Sequence, residues 1–75
     1  MLKFLFGDDS EGTWEVSGTM VVMQANARYD VPVVGTVAAS NRYDARNKVK
    51  HTYMVNNPQL DFCEWSKIDY IRRVS

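Results

Sequence analysis

The chain has 75 residues, of which nine are Lys or Arg, nine are Asp or Glu and one is Cys, with zero net charge and 45% hydrophobic residues. That balance excludes a disordered segment, a disulfide-held secreted scaffold and a polyanionic nucleic-acid mimic, and it removes the global basic field that nonspecific nucleic-acid binding uses. A chain this short buries only about 60% of the surface its unfolded form exposes, so a thin core helped by a partner subunit is expected.

The first run, LKFLF at residues 2–6, places Leu2, Phe4 and Phe6 on one side and Lys3 and Leu5 on the other, which predicts a strand. It stops at Gly7 and meets the acidic turn GDDSEG, unlike the long apolar core and cleavage site of a signal peptide. No window approaches the roughly eighteen apolar residues of a membrane span. With its lone cysteine, the expectation is a soluble, cytoplasmic protein. Asp8, Asp9 and Glu11 lack the spacing of an EF-hand loop, and the turn lacks the Gly-Lys-Ser/Thr of a phosphate-binding loop.

TWEVSGTMVVM, residues 13–23, alternates with period two: Trp14, Val16, Gly18, Met20 and Val22 share one face. QANARYD reads as a connection. YDVPVVGTVAAS gives a third strand with Tyr29, Val31, Val33, Gly35 and Val37 on one side, and Pro32, which donates no ladder hydrogen bond, places that strand at an edge there or has it begin near that point. A helix comes next, capped by Ser40 or Asn41 with Asp44 in its first turn, and Ala45, Val49, Thr52 and Tyr53 form its core side. Asn56, Asn57 and Pro58 end it. LDFCEWSKIDYIRRVS completes the chain as a last strand, with Ile68, Tyr70 and Val74 on one face and Trp65, Lys67, Asp69, Ile71 and Arg73 on the other.

The order β-β-β-α-β predicts a single α+β domain over residues 1–75, one helix packed on a largely antiparallel four-stranded sheet. If Trp14, Val16, Met20 and Val22 face the helix with Phe4, Val33 and Ile68, then Leu5, Val21, Met23, Val34, Ala38, Trp65 and Ile71 lie on the open face. That much exposed apolar surface marks an interface, and Val21, Met23, Val34 and Trp65 are the residues expected to serve self-association, as a homodimer or higher oligomer.

The segment SNRYDARNKVKHTYM, residues 40–54, concentrates basic charge. Asp44 and Lys48 form an ordinary i, i+4 pair, and the cations suit the negative end of the helix dipole, so most of this bias needs no ligand. The outward side also carries an aromatic residue and a methionine. Tyr43, Arg46, Asn47, Lys50 and Met54 therefore form a candidate partner-binding stripe. A nucleic-acid-binding alternative would use Arg42, Arg46, Lys48, Lys50 and Arg73, with Trp65 as a stacking ring on the strand face. A further alternative is a small-ligand site formed between subunits.

The only histidine is His51, on the helix, and a nucleophilic site would have to join it to Cys63; a lone cysteine of this kind is more often a small packing group. One Cys and one His fall short of a zinc site. No catalytic residue, metal or cofactor is expected, and the protein reads as a noncatalytic binding factor, not an enzyme. In size and character it resembles small phage-encoded factors that act by adhering to and inhibiting a host or defence protein.

Overall fold

The structure, a computed structural model, describes residues 12–75. The strand expected at residues 2–6 lies outside the described residues. In chain order the elements are β1 (Gly12–Gln24), β2 (Ala27–Ala39), α1 (Arg42–Asn56) and β3 (Phe62–Arg73). The four-stranded sheet expected from the sequence is corrected: among the described residues the sheet has three strands in the order β2-β1-β3, with β1 antiparallel to both neighbours. The domain is α+β, with the helix across one face of the sheet.

β1 and β2, 13 residues each, form a hairpin that closes on Gln24 and Ala27. Most of the QANARYD segment is therefore strand, and only Ala25 and Asn26 turn the chain. Both adopt positive φ, 52° and 68°, as a two-residue turn matched to the right-handed strand twist requires. The tip is held from outside, since the Ala25 amide donates to Asp61 Oδ2 at 3.2 Å and the Asp61 amide to the Met23 carbonyl at 2.8 Å. Pro32 lies on β2, an edge strand of the sheet as its chemistry demands.

The helix begins where local side-chain chemistry dictates. Asn41 Oδ1 accepts from the Asp44 amide at 2.9 Å, and Asp44 Oδ2 accepts in return from the Ser40 amide at 3.0 Å, a reciprocal cap for donors the first turn leaves unpaired. At the other end Asn57 Nδ2 donates to the Tyr53 carbonyl at 2.8 Å. Ala45 and Val49 are the buried residues of α1, Tyr53 is half-buried, and Thr52, expected on the core side, is exposed.

The core lies between α1 and the inner sheet face, where Val16, Met20 and Val22 of β1 meet Val33 and Ala39 of β2 and Cys63 and Trp65 of β3. Two glycines set its thickness. A Cβ at Gly35 would come within 2.7 Å of Val49 Cγ1, so the bare backbone lets the helix settle onto β2. A Cβ at Gly18 would collide with the Lys67 carbonyl, where β3 is bulged.

The bulges decide which way β3 faces. Ser17 pairs with Tyr70 but Gly18 with Ile68, and Thr19 with Lys67 but Met20 with Trp65, so Asp69 and Ser66 are extra residues on β3. Each one reverses the alternation. Cys63, Trp65, Ile68 and Ile71 consequently share the inner face despite mixed parity, while Phe62, Lys67, Tyr70 and Arg72 lie opposite the outward residues of β1. The expected placement of Trp65 and Ile71 on the open face, and of Tyr70 beside Ile68, is thereby corrected.

Candidate functional site

Tyr43, Asn47, Lys50 and Met54 succeed one another at four-, three- and four-residue steps and line one side of α1, flanked by Arg46. Tyr43 is 73% exposed and Met54 39%, and Asn47 is exposed too. Arg46 and Lys50 are half-buried against β3: the Arg46 carbonyl accepts from Trp65 Nε1 at 3.1 Å, and Lys50 Nζ binds Glu64 Oε1 at 3.0 Å. The stripe thus runs along the β3 edge.

Phe62 is 47% exposed and sits opposite Met23, itself 37% exposed, on the outer face of the sheet. Three of the four residues expected to serve self-association, Val21, Met23 and Val34, are on that outer face, and Val34 is 62% exposed. The fourth, Trp65, is excluded from it: it is buried in the core, because the Ser66 bulge turns it inward. Sequence reasoning missed Phe62 and Tyr70, both exposed on the outer face. An unbroken period-two reading cannot find them; the three-residue spacing of Trp65, Ile68 and Ile71 was the available signal.

Electrostatics bind the basic residues to the protein itself. Lys48 Nζ lies 3.3 Å from Asp44 Oδ2 and donates to the Ala38 carbonyl at 2.9 Å. Lys50 is held by Glu64, whose carboxyl titrates below its ordinary value, chiefly because of the Lys50 hydrogen bond and then that of the Trp65 amide. Asp44 is lowered in the same direction, first by the Ser40 amide and then by Lys48. The last turn of α1 carries no basic residue, so the cations answer local carboxylates and not the helix dipole, contrary to the expectation from their position. Arg73 Nε donates to the Ser75 carbonyl at 3.0 Å, at the opposite end of β3 from Phe62. With Trp65 buried, the five cations of the nucleic-acid alternative lose the stacking ring expected beside them.

Both sheet edges resist strand addition. β2 carries Pro32, and the Ala38 carbonyl is taken by Lys48. On β3 the Glu64 carboxylate accepts the Trp65 amide at 3.0 Å, and two bulges distort the rest. A groove of about 210 Å3 opens between β2 and the second half of α1, lined by Val33, Gly35, Val37, Val49, Tyr53 and Asn56.

Cys63 is buried, with Sγ 3.2 Å from Met20 Sδ, and burial raises its thiol pKa. His51 is exposed on the helix. Among the described residues no three His, Cys, Asp or Glu side chains are grouped to hold a metal ion, and no helix is long and apolar enough to cross a membrane. No family model matches this chain, and neither a curated protein nor a solved structure proved similar to it.

Proposed function

We propose that this protein is a noncatalytic binding factor that acts by occupying a surface of another protein, as an inhibitor of what it covers, and that it works as a homo-oligomer. One observation carries the reading. Tyr43 and Met54 on the helix, and Phe62 and Met23 on the outer sheet face, are exposed large side chains of the types that anchor interfaces, and Lys50 pairs the helix with Glu64 of β3. The comparison with phage-type inhibitors of host or defence proteins rests on small size and noncatalytic character. The role of Tyr43, Arg46, Asn47, Lys50 and Met54 is to meet the partner; that of the outer sheet face is to meet another copy.

The nucleic-acid alternative requires phosphates to draw Lys48 and Lys50 away from Asp44 and Glu64. It predicts affinity that falls steeply with salt, whereas docking through Tyr43 and Met54 depends on it weakly. The small-ligand alternative requires a site formed between subunits; the groove beside β2 is lined by β2 and α1 of a single chain.

The test compares capture of a protein partner by the wild type with capture by Tyr43→Ala, Lys50→Ala and Met54→Ala, each checked for native circular dichroism. Tyr43 and Met54 lie outside the buried core, so folded variants are expected, with capture reduced at least tenfold for Tyr43→Ala or Met54→Ala. Unchanged capture by all three removes the stripe as the site.

A further inference from the structure

We infer that a second copy of this chain covers the outer face of the sheet, face to face, about a two-fold axis that crosses the strands between the Ser17 and Thr19 levels. The inference deepens the oligomeric part of the proposed function and rests on it. The registers give the outer face as six levels of three residues across β2, β1 and β3. From one end they read Ala38, Thr13, Val74; Thr36, Glu15, Arg72; Val34, Ser17, Tyr70; Pro32, Thr19, Lys67; Asp30, Val21, Glu64; and Arg28, Met23, Phe62.

Complete overlap of two such faces allows two orientations. With the axis along the strands, each level meets itself, so Glu15 faces Glu15 and Asp30 faces Glu64 twice over; three like-charge contacts oppose it. With the axis across the strands, the first level meets the sixth. Val74 then faces Phe62, Arg72 faces Glu64, Lys67 faces the Tyr70 ring, Thr36 faces Asp30, and no like charges oppose one another. Arg72 lies over this face, held by Glu15 through Nε at 3.0 Å and Nη2 at 2.8 Å and stacked 4.9 Å from the Tyr70 ring centre; in the pair it shares Glu15, and Glu64 shares Lys50, with the other copy.

Area and edges favour the same occupant. Six levels at two residues each span about 40 Å, and three strands cover about 14 Å, giving roughly 550 Å2 per copy and about 1,100 Å2 in the pair. That clears the roughly 1,000 Å2 expected of a biological interface. The blunted edges leave this face as the route by which two sheets can meet.

The experiment measures solution mass by sedimentation equilibrium for the wild type, Arg72→Glu, Glu64→Arg and an equimolar mixture of the two variants. The wild type is expected at twice the 8.6 kDa chain mass. Each variant alone puts two like-charge contacts into its own pair and weakens it about tenfold. In the mixture both contacts become opposite-charge again, and the dimer returns; misfolded chains cannot rescue one another in this way. Val34→Lys, at an exposed site near the axis, is the second arm: it is expected to dissociate the pair with circular dichroism unchanged. A wild type that stays monomeric overturns the inference and the oligomeric reading with it, whether the face is then covered by another part of the chain or by a foreign protein. A wild-type dimer without rescue in the mixture, or one indifferent to Val34→Lys, overturns this arrangement alone.

Discussion

Val49 reaches the sheet because Gly35 has no side chain beneath it. Gly35→Ala would bring a Cβ to 2.7 Å from Val49 Cγ1, and the helix would have to lift from β2. The expected result is a loss of about 1–3 kcal/mol in urea unfolding, the usual cost of overpacking, with Val49→Ala restoring part of it in the double variant. Trp65 shows the same dependence on neighbours: buried at 7% exposure, with its indole N–H on the Arg46 carbonyl, it contributes to the core and not to an outside contact. Its position in the chain does not reveal this. Parity assigns Trp65 to the open face, and the residue that reverses the parity, Ser66, carries no sequence mark of a bulge; the bulged strand is accommodated across the sheet at Gly18, where the Lys67 carbonyl approaches too closely for any Cβ.

At the scale of elements, α1 was the most legible. Asn41 and Asp44 cap it reciprocally, Asn57 closes it, and each of these interactions spans no more than four residues. Asn41→Ala is expected to cost about 1 kcal/mol in urea unfolding. The cap of α1 at Asp44 and its contact with β3 at Glu64 add a pH dependence whose sign is set by these carboxylates. Glu64 and Asp44 both titrate below their ordinary values of 4.5 and 3.8 in the folded chain. Their contribution is therefore present above the ordinary values and is lost as the pH falls through the lowered ones. Thermal melts between about pH 2 and pH 6 should show stability declining below about pH 4, and Glu64→Gln should make that decline shallower. An unchanged acid limb would mean that the Lys50–Glu64 pair contributes nothing. The hairpin was legible in its alternation, but its extent was not: QANARYD has turn composition, yet only Ala25 and Asn26 leave the ladder, because pairing with β1 and the support of Asp61 hold the rest extended.

The described part of the molecule measures 51 × 22 × 14 Å, a long sheet with a helix over part of one face. So flat a shape leaves a small core for its surface, and it is the whole-molecule reason to expect association. If two copies stabilise each other, the melting temperature should rise with protein concentration, by a few degrees per tenfold, because mass action favours the bound native form. A melting temperature independent of concentration would count against the dimer. The amino-acid sequence by itself determined the inward residues of β1 and β2, the limits of the helix, the edge position of Pro32 and the α+β class, since these arise from alternation, capping and proline chemistry acting within a few residues. It also marked Tyr43, Asn47, Lys50 and Met54 as one stripe, since helical spacing alone aligns them. It marked the Asp44–Lys48 pair in the same way. Only the tertiary structure decided that Trp65 is core, that Phe62 and Tyr70 face outward, and that Lys50 is paired with Glu64 of β3. These depend on β3 being bulged against β1 and packed beneath α1, contacts between residues far apart in the chain that no local pattern encodes.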